Sequence, residues 1–234
     1  MKERRFAAIF PILLALVAAP AQAIDTGAKQ AILIEFTTGD ILYNKAADEV
    51  MYPASMTKMM TIYMLFDRLK NGSLSLEDTF RVSERAWRKG GSKMFVKVDT
   101  QVRVDDLLRG IIVQSGNDAC IVVAEALAGS EEAFAEQMTA KARELGLPNS
   151  RVVNATGWPD DGHAMSARDL AKLAEILITE YPDFYKMFSE KSFTYSGIAQ
   201  NNRNPVLSDD IGADGLKTGH TERSGYGLTA SAKD

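Results

Sequence analysis

The sequence has one cysteine, two histidines and two tryptophans among its 234 residues. Soft ligands are therefore too few for a zinc or iron–sulfur site, and Cys120 has no second thiol in the chain to pair with. Cys120 falls in the apolar stretch 119–127, where it reads as a small buried hydrophobe. Positive charge is not in excess. Lys plus Arg number 27 against 31 Asp plus Glu, a formal charge of −4, so the basic footprint of a nucleic-acid binder is missing. Internal repeats and low-complexity linkers are lacking too. What is present is ordinary globular composition, 46% hydrophobic and 25% charged, with enough chain to bury a sizeable core. That leaves room for a serine or carboxylate enzyme and for a non-catalytic secreted module.

The N-terminus reads as a signal peptide over residues 1–23. Lys2, Arg4 and Arg5 form a basic start, Phe6 to Ala19 is an apolar run of 14 residues, and Ala21-Gln22-Ala23 offers small residues to a signal peptidase. A bilayer span needs about 20 apolar residues, so an uncleaved anchor fits the run less well. The chain from residue 24 is then expected in an exported compartment.

Hydrophobic periodicity organises the remainder. Ala31–Phe36 and Ile41–Tyr43 alternate like two strands around the turn Thr37-Thr-Gly-Asp40. A helix is predicted from near Pro53 to about Lys70; its Met, Ile, Leu and Phe residues leave no wide polar face, which places it in the middle of a domain. Helical spacing recurs over 105–114, 118–128, 131–145 and 167–179, and strand character returns over 215–218 and 226–232. Strands at both ends with helices between them indicate an α+β domain whose terminal strands share a sheet.

Three short motifs carry chemistry. In Ser55-Met-Thr-Lys58, one helical turn brings a hydroxyl and an amine to the same face. Serine needs a base beside it, and Lys58 can serve only if burial and a second cation lower its pKa by about 3 units, roughly 4 kcal/mol. Alone, such a spacing is expected about once by chance in a chain of this length. In Ser115-Gly-Asn117, Ser115 could carry a proton while Asn117 could hold Lys58 and a substrate amide; a plain helix N-cap is the competing reading. In Lys217-Thr-Gly-His220, a cation and a hydroxyl suit a carboxylate, Gly219 lets a substrate backbone approach, and Lys217 is the second cation expected to act on Lys58.

The ordered set S-x-x-K, S-x-N, K-T-G is the signature of penicillin-recognising serine enzymes. The chain resembles the D-alanyl-D-alanine carboxypeptidases, the low-molecular-mass penicillin-binding proteins, through Tyr52-Pro-Ala-Ser-Met-Thr-Lys58, Gly91-Ser-Lys-Met-Phe95, Gln114-Ser-Gly-Asn-Asp-Ala119, Ser166-Ala-Arg-Asp169 and Asp214-Gly-Leu-Lys-Thr-Gly219. The resemblance implies a β-lactamase/DD-peptidase-like α+β fold: a five-stranded antiparallel sheet flanked by helices, with a helical subdomain, over 24–234. It implies Ser55 as nucleophile, Lys58 as base, and Ser115 and Asn117 in the catalytic set. Lys217, Thr218, Gly219 and His220 fall at substrate-binding positions, His220 through its main chain, with Arg203 nearby. Gly90-Gly91-Ser92 looks like a mobile flap. No metal or organic cofactor is implied. The expected substrate is a peptidoglycan stem peptide, with β-lactams as covalent inhibitors and no nucleic-acid partner.

In such relatives the sheet continues past the K-T-G strand pair, and a second domain and a membrane-surface helix often follow. The chain is therefore expected to be truncated at its C-terminal end, and any membrane-surface association to reside in the missing region. Two other functions stay open on the sequence. A serine β-lactamase would need a deacylating acid, and the loop 154–163 offers Asp160 and Asp161 but no Glu. A penicillin-sensing module would keep Ser55 without turnover.

Overall fold

The structure is a computed structural model and describes residues 26–233. The signal-peptide reading of residues 1–23 lies outside the described residues. The chain opens with an antiparallel hairpin, β1 (Ala31–Ile34) and β2 (Ile41–Lys45), with Leu33 opposite Tyr43. Its turn is closed by Glu35, whose carboxylate accepts from the Thr37 and Thr38 amides; those bonds hold its pKa down at about 2. The short strand β3 (Val50–Met51) leads to a 3-10 turn at Ala54–Thr57 and into α1 (Lys58–Lys70).

Every side chain of α1 from Lys58 to Phe66 is buried, as a helix without a polar face must be. Phe66 is fully buried among Tyr181, Phe184 and Phe188, with ring centroids 5.3–6.4 Å away. Around this axis the chain adds β4 (Thr79–Arg81), α2 (Glu84–Arg88), β5 (Gln101–Arg103), α3 (Val104–Ile112), α4 (Asn117–Ala128) and α5 (Glu131–Glu144). Then come β6 (Met165–Ser166), α6 (Ala167–Glu180), α7 (Pro182–Tyr185), and the hairpins β7 (Ser192–Tyr195) with β8 (Ile198–Asn201) and β9 (Ala213–Thr221) with β10 (Gly225–Ala232). Helices α3, α5 and α6 pack on α1. Three helix starts are fixed by serine caps: Ser83, Ser130 and Ser166 accept from the amides of Ala86, Ala133 and Asp169.

All named strands pair antiparallel, as β1–β2, β3–β6, β4–β5, β7–β8 and β9–β10. The terminal strands do not share a ladder. Both β1 and β10 contact α6, so the two hairpins rest on one helix without a ladder between them. Among the described residues no helix is long and apolar enough to cross a membrane.

Truncating the centre of this packing should be costly. Phe66→Ala is expected to lower unfolding free energy by about 3–5 kcal/mol in a denaturant titration, and Phe36→Ala, whose ring is about half exposed, by less than about 0.5. Equal midpoints for the two variants would remove α1 from the core.

Candidate active site

The turn before α1 presents Ser55. Ala54 adopts the left-handed region at φ 49°, and the 3-10 geometry of 54–57 gives way to the α-helix at Lys58. Lys58 Nζ lies 2.7 Å from Ser55 Oγ and donates to the Thr156 carbonyl, also at 2.7 Å. Its side chain is fully buried. Loss of water lowers its pKa to about 8, and the Arg203 and Lys89 cations pull the same way against Asp118. A thiolate at Cys120 would oppose this, but burial pushes that thiol up to about 12, so it stays neutral.

Lys217 is coupled to this amine. Arg203 and Lys89 also favour the neutral form of Lys58, and Lys217 is itself driven well below the ordinary lysine range by burial, then by Lys58 and Arg203. Two buried amines that act on each other disfavour the doubly protonated state.

The loop 154–163 supplies a carbonyl, not an acid. Asn154 Oδ1 accepts from the amides of Thr156, Gly157 and Trp158, and its Nδ2 donates to the Trp158 carbonyl. Gly157 has φ 79°, and a Cβ there would lie 1.7 Å from the Ala54 carbonyl oxygen, so the loop is seated directly against the nucleophile turn. Glu131 accepts from the Ala155 amide at 3.1 Å and pairs with Arg85 at 3.0 Å, anchoring the loop to α5 and α2. His163 accepts from the Val153 amide through Nδ1, which leaves Nε2–H to donate to Thr57 Oγ1 at 2.8 Å. Burial takes this imidazole down to about 4, so it is neutral. Asp160 and Asp161 are exposed, and Asp161 pairs with Arg223 at 3.1 Å.

Ser115-Gly116-Asn117 is not a cap. The helix α4 has Gly116 at its N-cap position with no side-chain capping bond, and Ser115 is held at φ 58° with its buried hydroxyl unpartnered among the described residues. Asn117 does not bond Lys58. Its Nδ2 donates to the Gly90 carbonyl at 2.9 Å, and its backbone amide donates to the Ser92 carbonyl at 2.7 Å. The Arg203 guanidinium donates to Ser92 Oγ at 2.6 Å. The segment 90–92, which looked like a flap, is thus tied at three points. Next to it, the Asp118 carboxylate accepts from the amides of Met94, Phe95 and Val96. A Cβ on Gly116 would come within 2.9 Å of that carboxylate, which explains glycine at this position.

Strand β9 closes the other side. A Cβ on Gly219 would meet the Pro53 carbonyl at 2.9 Å and the Ser55 amide nitrogen at 3.2 Å, so only glycine lets the strand come this close to the nucleophile turn. Lys217 is buried with Nζ donating to the Thr218 carbonyl, Thr218 is half-buried, and His220 is exposed with its ring stacked on Tyr226 at 4.1 Å. Among the described residues no three His, Cys, Asp or Glu side chains gather as a metal site.

The first and third motifs therefore meet at the Ser55 turn and the second lies against the segment 90–92, but the supports of the site were not legible as motifs. Thr156 acts through its backbone, which any residue type would provide. Glu131 reads as an ordinary first-turn acid, and Trp158 as a loop aromatic. Asn154 had a usable signal, since Asn ahead of Thr-Gly favours a turn built on its side-chain oxygen.

Comparison with known proteins agrees with this geometry. A family profile described as D-alanyl-D-alanine carboxypeptidase matches residues 17–234. The D-alanyl-D-alanine carboxypeptidase DacA of Escherichia coli strain K12 is 42% identical over 214 residues, covering 88% of this chain and 53% of that protein. The chain thus spans about half the length of the curated relatives it matches. Penicillin binding protein 5 from Haemophilus influenzae superposes with a TM-score of 0.88 at 40% identity, over 92% of this chain and 63% of that one. Penicillin-Binding Protein D2 from Listeria monocytogenes, in an ampicillin-bound form, superposes with a TM-score of 0.81 at 27% identity, over 92% of this chain and 87% of that one. An α+β fold shared with solved penicillin-binding proteins, and a profile match that runs from residue 17 through all three motifs, place this chain in the D-alanyl-D-alanine carboxypeptidase family.

Proposed function

We propose that the protein is a serine D-alanyl-D-alanine carboxypeptidase that removes the terminal D-Ala from peptidoglycan stem peptides through an acyl-enzyme on Ser55. The observation that carries this reading is the 2.7 Å contact between Ser55 Oγ and a fully buried Lys58 amine whose pKa is drawn down to about 8. A neutral amine has a lone pair for the Ser55 proton, and the freed oxygen attacks the carbonyl of the penultimate D-Ala. Negative charge on the carbonyl oxygen then meets the backbone N–H groups of Ser55 and His220; one such donor is typically worth about 2.7–4 kcal/mol. Lys217 and Thr218 bind the terminal carboxylate, Asn117 the acyl-side amide. Ser115, whose buried hydroxyl has no partner among the described residues, passes a proton to the departing D-Ala. Water then hydrolyses the ester.

A relative solved in an ampicillin-bound form supports β-lactams as ligands of this site, and the reading makes them covalent inhibitors on Ser55. A β-lactamase reading draws no support from the loop 154–163, which places the Thr156 carbonyl at Lys58 while its two aspartates are exposed. The substrate is a cell-wall peptide, so the reading also places the enzyme in an exported, periplasmic location, and the basic and apolar start of the sequence agrees with that.

A fluorescent penicillin is expected to label the full-length protein covalently, and Ser55→Ala to abolish the label on a denaturing gel; undiminished label on the variant would assign the nucleophile elsewhere. The rate of acylation should follow the neutral form of Lys58. It is expected to rise about tenfold per pH unit up to a midpoint near 8 and level above it. Arg203→Gln removes a cation that favours the neutral amine, so its midpoint should move upward. A rate that falls as pH rises through this range would exclude Lys58 as the base.

A further inference from the structure

Beside the segment 90–92, the loop 154–163 carries an aromatic ring that acyl transfer does not use. Trp158 is 48% exposed, and Asn154 holds it from both sides by accepting from its amide and donating to its carbonyl. Its six-membered ring is pressed against the segment 90–92. A Cβ on Gly91 would lie 2.9 Å from Trp158 Cζ3 and 2.7 Å from Asn117 Nδ2, so the ring edge, the Gly91 backbone and the Asn117 amide meet at one point. The Lys89 ammonium sits 5.7 Å from the ring centroid, held 3.7 Å from the Glu131 carboxylate. A large apolar face is thus fixed, and left open, beside the amide that receives the acyl half of the substrate.

We infer that Trp158 is a specificity-determining residue, its indole taking the aliphatic side chain of the residue that precedes the D-Ala-D-Ala pair; this rests on the carboxypeptidase reading. With the terminal carboxylate on Lys217 and Thr218, the peptide leaves Ser55 toward Asn117. On that path the side chain of the preceding residue comes beside the indole, whose ring edge meets the Gly91 backbone and the Asn117 amide. Covering two methylene groups against an aromatic face corresponds to about tenfold in kcat/KM. A residue without a side chain gains nothing from it.

The test compares D-Ala release from diacetyl-L-Lys-D-Ala-D-Ala and from acetyl-Gly-D-Ala-D-Ala in the full-length protein. Trp158→Ala is expected to lower kcat/KM about tenfold for the lysyl peptide and less than twofold for the glycyl peptide, with Trp158→Phe recovering most of the difference. Equal losses on both peptides would reduce Trp158 to a prop for the loop that carries Thr156, and an unchanged lysyl rate would equally overturn the inference. Should the alanine variant fail to fold, indole emission decides. Adding lysyl peptide to Ser55→Ala protein should change the emission, and Trp158→Phe in that background should abolish the change; a change that persists counts against the inference. If the unaltered protein released D-Ala from neither peptide, the carboxypeptidase reading itself would fall, and the inference with it.

Discussion

An ammonium group stripped of water loses several kcal/mol of solvation, and a protein that buries one must either pair it or leave it neutral. Among the described residues Lys58 has no carboxylate within salt-bridge distance. It has a carbonyl, a hydroxyl, and cations at a distance, and all of these are compatible with an uncharged amine. The same absence of water that would make the charge expensive makes the amine a base near neutral pH. The rest of the site is arranged so that this amine stays dry and stays aimed at Ser55.

Dryness comes from the core. Lys58 opens a helix whose next eight residues are buried, so the position is enclosed by the packing that stabilises the domain. Aim comes from outside that helix. The Asn154 turn orients the Thr156 carbonyl, Glu131 fixes the amide before it, and Gly157 brings the loop onto Ala54. On the opposite side Gly219 brings β9 to the Ser55 amide. Glycine at these two places serves proximity: each removes the one atom that would hold a neighbouring segment away from the nucleophile turn.

Much of this was readable in the sequence where the signal is local. The buried helix announced itself by having no polar face, and Ser55 with Lys58 by their helical spacing. The pairs β3–β6 and β4–β5 were not legible, because strands of two or three residues have no periodicity to read; they exist through partners far along the chain. The hairpin β7–β8 did have a signal. Ser196-Gly197 both take positive φ at its tip, the conformation a two-residue turn prefers, and a Ser-Gly pair between alternating residues marks it. Within the site, side-chain types were easier to find than their partners. Asn117 was expected to hold Lys58, whereas its side chain binds the Gly90 carbonyl, and the motifs pointed to Lys217 as a cation coupled to Lys58 but not to Arg203 and Lys89. Electrostatic partners depend on three-dimensional distances that motif order does not encode.

The state of one amine decides whether this description holds. Carbon NMR of protein labelled at lysine Cε, with Lys58→Arg to assign the resonance, follows that amine directly as pH is raised. A midpoint near 8 is expected. A midpoint at the ordinary lysine value of about 10.4, with acylation by penicillin still rapid at neutral pH, would contradict it.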